Sequence, residues 1–90
     1  MSRAEELLER ARRSYVGWRF RDLERLYTSF GFEMRHGAKH AVFKHPEFPQ
    51  LRATVPRGRS LAVTYVTDAV KRIDQLIALQ GREVAKDGYP

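Results

Sequence analysis

The chain has 90 residues, a length that accommodates one hydrophobic core and excludes two domains with independent cores. Seventeen lysines and arginines against eleven aspartates and glutamates give a net charge of +6, which favours a polyanionic partner, either nucleic acid or an acidic protein. Cysteine is absent, so disulfide frameworks and thiolate metal sites are excluded. The sequence has neither a signal peptide nor the ~20 consecutive apolar residues of a membrane span, and we expect a cytoplasmic protein without a membrane partner.

Two amphipathic helices are predicted before residue 31. Apolar residues at helical spacing predict the first over about residues 3–13. A second stripe predicts a helix over about 19–30, which Gly31 ends as a left-handed cap. Residues 1–18 are assigned to an N-terminal helical extension. Because the Ala/Leu stripe of the first helix is too short and narrow to stand alone, this helix either packs on the body or forms a dimer or partner contact.

Three short strands are predicted next. Phe32 and Met34 alternate with polar neighbours, which is typical of a half-buried strand. After a turn at Gly37, residues 39–45 form a second strand. Which of its faces points inward is not determined, because three consecutive positions are apolar. Two prolines exclude a strand over residues 46–49, and residues 51–55 alternate as a third.

A final amphipathic helix is predicted to begin with Thr64 as its cap and to end at Gly81, followed by a flexible tail over residues 82–90. The order α-α-β-β-β-α predicts an α+β domain over residues 19–81. Its strands form an antiparallel meander, with helices on one face and the other face open to solvent.

Positive charge is concentrated in residues 31–60. This segment supplies four of the six net positive charges and all three histidines. A helix-free sheet face lined by cations is the electrostatic footprint of a protein that binds a phosphate backbone. An ordinary solvated sheet face is the competing interpretation. The cations are Arg35, Lys39, Lys44, Arg52, Arg57 and Arg59.

His40 is the candidate catalytic residue, because it follows the Gly37 turn and neighbours Lys39. A neutral imidazole can take a proton from a ribose 2′-hydroxyl while nearby cations stabilise the charge on the phosphorus oxygens. Such a reaction needs no cofactor. The alternative is a histidine that packs or caps a strand end.

A metal site is disfavoured. His36, His40 and His45 are spaced across a turn and a strand, so their rings need not converge, and no carboxylate joins them at a familiar spacing. Two aromatic residues are also singled out. Trp18 is expected to anchor the first helix to the body. Phe48, between two prolines, is expected either to be exposed at a loop tip, where it contacts a partner or stacks on a base, or to cover the sheet edge.

One run of features resembles the HicA family of bacterial type II toxins, over about residues 19–78. The features are Gly31-Phe32 after a helix, the Gly37 turn with His40, Phe43-Lys44-His45-Pro46, Val55-Pro56, and a closing apolar helix. The resemblance implies a double-stranded-RNA-binding-like α-β-β-β-α fold, to which the first helix is an addition.

The resemblance also implies the function of a toxin: a metal-independent endoribonuclease, or mRNA interferase, that is neutralised by a HicB-type antitoxin. His40 takes the place of the histidine in the family's Gly-Ser-His-like motif. We therefore expect His40 and Lys39 to be catalytic and the other cations of residues 31–60 to bind RNA. They are Arg35, Lys44, Arg52, Arg57 and Arg59.

Two other functions fit the same residues. A non-catalytic RNA-binding module would share the fold and the basic face, and would bind RNA in a salt-sensitive manner without cleaving it. A protein-interaction module would use the basic face for an acidic partner and have negligible affinity for RNA.

Overall fold

A computed structural model describes the backbone of residues 3–58 and 61–88 and the side chains of residues 3–58 and 61–81. Within these residues the chain forms three helices and three strands, in the order that the sequence predicts. The α+β class is therefore confirmed. The elements are α1 (Arg3–Arg13), α2 (Phe20–Ser29), β1 (Glu33–His36), β2 (His40–Lys44), β3 (Arg52–Pro56) and α3 (Val63–Gly88).

The three strands form an antiparallel sheet in the order β1-β2-β3, which confirms the predicted meander. Lys44 at the end of β2 lies opposite Glu33 of β1 and Arg52 of β3. Residues directly opposite each other in an antiparallel ladder share a face of the sheet. This register therefore determines which side chains of the three strands meet.

The inner face of the sheet packs against helices. Ala41 and Phe43 of β2 are completely buried, whereas Val42 between them is half-buried on the outer face. The Phe43 ring stacks on that of Tyr27 of α2, with 4.7 Å between the ring centroids. The side chains at the odd-numbered positions of β2 therefore point inward. The sequence does not determine this, because three consecutive residues of the strand are apolar.

Helix α2 ends in a Schellman motif. Gly31 has φ +91°, and its N–H donates to the carbonyl oxygen of Thr28, while the N–H of Phe32 donates to that of Tyr27. The Phe32 and Tyr27 rings lie edge to face at 4.9 Å, which supplies the apolar contact of the motif. The predicted cap at Gly31 is confirmed, and it directs the chain into β1.

Both predicted ends of the last helix are wrong. The helix begins at Val63, so that Thr64 lies within its first turn, and it continues past Gly81 to Gly88. A glycine inside a helix costs about 1 kcal/mol relative to alanine, which is too little to end a long helix by itself. The backbone of residues 82–88, assigned to the tail, is therefore helical.

Helix α1 belongs to the same core as the rest of the chain. Leu8 and Ala11 are buried against the helical layer, and Trp18 in the following turn is 1% exposed. The Trp18 indole N–H donates to the carbonyl oxygen of Ser14 at 2.9 Å. Its predicted role as an anchor for α1 is therefore confirmed. The Arg12 side chain also forms an ion pair with Asp74 of α3.

Tyr27 brings an unpaired polar atom into the core. Its side chain is completely buried, and its hydroxyl has no hydrogen-bond partner among the described residues. Burial raises the pKa of the Tyr27 phenol above its ordinary value of 10.0, and the neighbouring Arg72 guanidinium opposes that rise. The buried hydroxyl thus makes the core sensitive to alkaline pH.

We expect Gly31→Ala to destabilise the protein by about 2–4 kcal/mol, since alanine is strained at positive φ and its Cβ would lie 3.2 Å from the His45 Nε2 atom. Gly17→Ala is the matched control, because Gly17 also has positive φ, at +82°, but open space around it. That variant should lose only about 1 kcal/mol. Urea denaturation measures both, and equal losses would contradict a contact with His45.

Tyr27→Phe should change the stability at neutral pH by less than about 1 kcal/mol, because the hydroxyl has no partner within hydrogen-bond geometry among the residues described and only its contact with the Arg72 guanidinium is removed. Above about pH 10 the wild type should lose stability, since the unfolded chain ionises its tyrosine before the folded one does. The variant should lose less. Denaturation midpoints across the alkaline range measure this, with Tyr65→Phe as the control, and equal slopes for all three proteins would contradict the assignment.

Candidate nucleic-acid interface

Three cations lie together on the face of the sheet that carries no helix. Lys44 is flanked by Arg52 on β3, and Arg35 of β1 lies opposite Val42, one step along the same face. All three side chains are exposed. We call Arg35, Lys44 and Arg52 the open-face cluster. The register brings these predicted RNA-binding residues together.

The open-face cluster borders a groove of about 360 Å³, whose lining also includes Pro46 and Pro49. Glu33 is the carboxylate in its lining, opposite Lys44, and no ion pair within 4.0 Å joins it to a cation of the cluster. The groove therefore keeps a net positive charge and can hold an anionic group against the sheet.

His40 lies on the same face as the open-face cluster, at the other end of β2. Positions 40, 42 and 44 alternate with the buried Ala41 and Phe43, and four residues of strand separate His40 from Lys44 by about 13 Å. The ring is exposed, and no hydrogen bond orients it within the described part of the chain.

The turn before His40 is a tight hairpin. The Gly37 N–H donates to the carbonyl oxygen of His40 at 2.7 Å, and a Cβ atom on Gly37 would lie 2.7 Å from that same oxygen. Only glycine fits this approach. Lys39, the second predicted catalytic residue, is exposed in the turn, and its carbonyl oxygen accepts the Arg57 N–H at 2.9 Å.

Arg57 lies on the opposite face of the sheet from His40. It follows Pro56, the partner of His40 in the ladder, and strand alternation sends its side chain to the helical side. The guanidinium stands 5.8 Å from the Phe20 ring centroid of α2. The structure therefore separates Arg57 from the open-face cluster. Arg59 lies outside the described residues.

His36 and three arginines of α2 and its cap surround Arg57. His36 lies opposite the buried Ala41, so it also faces the helices and cannot pair with His40 across the sheet. No motif in the sequence marks these arginines, although an (i, i+4) spacing places two of them on one helix face. They are Arg19, Arg21 and Arg25.

His45 is part of the core and not of a surface. It is 2% exposed, its Nδ1 atom accepts the Glu47 N–H at 3.1 Å, and its ring contacts those of Phe32 and Phe48. Phe48 itself is 7% exposed, so its predicted exposure at a loop tip is wrong. The two prolines fold the loop back, and Phe48 covers the edge of the core, which was the alternative interpretation.

In the described ranges, no three histidine, cysteine or acidic side chains are grouped so that they could hold a metal ion. The three histidines are instead dispersed over the helical side, the open face and the core. No helix within the described residues is long and apolar enough to cross a membrane.

Comparisons of this chain with protein-family models, with curated proteins and with solved structures found no match. The assignment of function therefore depends on the placement of the charged and titratable side chains.

We expect His45→Ala to lower the free energy of unfolding by about 2–4 kcal/mol, because it removes a packed ring and the acceptor of the partly buried Glu47 N–H. His36→Ala and His40→Ala, which truncate exposed rings, should each stay within about 0.5 kcal/mol of the wild type. Chemical denaturation measures all three. A loss for His40→Ala as large as that for His45→Ala would contradict its placement on the surface.

Proposed function

We propose that this chain is a metal-independent endoribonuclease, with His40 as its general acid or base and the open-face cluster as its site for the RNA backbone. The observation that carries the proposal is the alternation of β2, which places His40 and Lys44 on one exposed face. Lys39 is next to His40 in the turn. An RNA strand that follows β2 would have one phosphate at the histidine and others at the cluster.

In the proposed reaction the neutral His40 imidazole takes the proton of a ribose 2′-hydroxyl. The 2′-oxygen then attacks the adjacent phosphorus, the bond from phosphorus to the 5′-oxygen breaks, and that oxygen takes a proton from the imidazolium or from water. The products are a 2′,3′-cyclic phosphate and a 5′-hydroxyl. Lys39 stabilises the negative charge that builds on the phosphorus oxygens, a contribution that a preorganised cation makes in other enzymes.

The order of elements supports the wider part of this proposal. From α2 to α3 the chain runs α-β-β-β-α, the order that the resemblance to HicA toxins implies for a double-stranded-RNA-binding-like fold. We infer that the chain is the toxin of a type II toxin-antitoxin system, acting on mRNA in the cytoplasm. A HicB-type antitoxin would neutralise it by covering the open face.

A non-catalytic RNA-binding module is the second candidate. The observation that favours it is the His40 ring itself, which no hydrogen bond orients among the described residues, whereas catalytic histidines are commonly oriented by a second group. RNA binding without cleavage would be its signature.

The purified protein should cleave RNA in the presence of EDTA and leave 2′,3′-cyclic phosphate ends. His40→Ala should slow cleavage by about 10² to 10⁴ while RNA affinity is retained, because only the proton transfer is removed. Lys71→Gln, which removes an exposed charge of α3 that lines neither the groove nor the surroundings of Arg57, should cleave at the wild-type rate. Gel assays with end analysis measure this.

Lys44→Gln/Arg52→Gln should weaken RNA binding and lower the slope of log affinity against log salt by about 1.4, or ~0.7 for each phosphate that the variant no longer neutralises.

Unchanged cleavage by His40→Ala would refute the mechanism. Salt-sensitive binding without cleavage products would establish the second candidate. Negligible RNA affinity of the wild type would point to an acidic protein partner instead.

A further inference from the structure

A second basic surface lies on the helical side of the sheet, next to α2. It is an open cleft of about 620 Å³, which we call the α2 cleft. Its basic lining comes from three parts of the chain: the first turns of α2 with its cap, the end of β1 and the segment after β3. These residues are Arg19, Arg21, Arg25, His36 and Arg57.

The arginines of the α2 cleft are not neutralised by the carboxylates beside them. The Asp22 carboxylate accepts the Arg19 backbone N–H at 3.0 Å. It also lies 3.7 Å from the side chain of Arg10, a residue that is not part of the cleft lining. No carboxylate of the described residues comes within 4.0 Å of any arginine side chain in the lining. The lining contains four guanidinium groups and two carboxylates, those of Asp22 and Glu24. The cleft therefore carries a net positive charge.

Local structure explains this convergence of charge. Arg21 and Arg25 are one helical turn apart on α2, so their side chains project from the same face. Arg57 reaches the cleft from the sheet. Its guanidinium group lies over the Phe20 ring, and its Nη1 atom donates to the Gly37 carbonyl oxygen at 3.4 Å. The cleft is therefore formed jointly by α2, the end of β1 and the segment after β3.

The α2 cleft and the open face meet at the β1-β2 hairpin. His40 projects on the open side of the hairpin, whereas His36 and Arg57 project on the helical side. The hydrogen bond from the Arg57 N–H to Lys39 joins the two sides directly. Cations therefore continue round the hairpin from one surface to the other.

We propose that the α2 cleft binds phosphates of the same RNA strand that the open face holds, so that single-stranded RNA turns round the β1-β2 hairpin. This inference rests on the proposed function and names its substrate class. Guanidinium groups suit phosphate because their N–H donors match its oxygens in pairs. A double helix resists bending on this scale, and only a flexible single strand can follow both faces.

The test compares salt-dependent binding of 2′-O-methyl RNA, which lacks the attacking hydroxyl and stays intact with the wild-type protein. Arg21→Gln/Arg25→Gln removes two charges from the α2 cleft. Arg13→Gln/Lys71→Gln is the matched control, since it removes two exposed charges from α1 and α3 outside the lining. Lys44→Gln/Arg52→Gln reports separately on the open face.

For a single strand of about 16 nucleotides, the cleft variant should lower the salt slope by about 1.4, whereas the control should keep the wild-type slope. For a strand of about four nucleotides, which reaches one face only, the cleft variant keeps the open face as a binding site, so its salt slope should change less than on the long strand. A duplex of the longer sequence should show no effect of the cleft variant.

An unchanged slope for Arg21→Gln/Arg25→Gln on the long strand, or an equal change for the control, overturns the inference and leaves the proposed function in place. A change for the cleft variant with none for Lys44→Gln/Arg52→Gln overturns both the open-face site and the shared strand, and leaves the cleft as the RNA site. Polyglutamate bound as tightly as RNA of equal charge would assign the cleft to an acidic protein and overturn the inference.

Discussion

The stacking of Phe43 on Tyr27 is the contact on which the arrangement of both surfaces depends. It holds the odd-numbered positions of β2 against α2, and strand alternation then sends His40 and Lys44 to the opposite face. A slip of one residue would reverse every side chain of the strand and bury the cations. The burial of the inward positions, with this aromatic pair among them, thus determines where charged groups are available to a ligand.

The Schellman motif at the end of α2 connects this core to the loop after β2. Gly31 turns the chain into β1, and the close approach of His45 to Gly31 fills the space that any larger residue would need. His45 also accepts a backbone hydrogen bond from the loop and packs against Phe48. His45, although it belongs to the basic segment of the sequence, is therefore a packing residue of the core.

The two basic surfaces have a common boundary at the β1-β2 hairpin, where Gly37 permits a turn tight enough to bring Lys39 and His40 to its end. Helix α1 packs on α2 and α3 and contributes to the core, so in the described residues it leaves the open-face cluster uncovered. The helical addition to the α-β-β-β-α order thus supports the domain from the side away from the proposed active face.

The sequence by itself determined the local features: the extents of α1 and α2, the cap at Gly31, the three strands in a meander and the concentration of positive charge. These follow from hydrophobic period and turn residues within a few positions of each other. It left Phe48 undecided between exposure and cover, because only the fold shows that its loop packs on the core. It was wrong at Gly81, which a long helix tolerates. Only the tertiary structure assigned Arg57 to the helical side with His36 and the α2 arginines, because which cations meet depends on sheet register and helix packing, and neither is a local property of the chain.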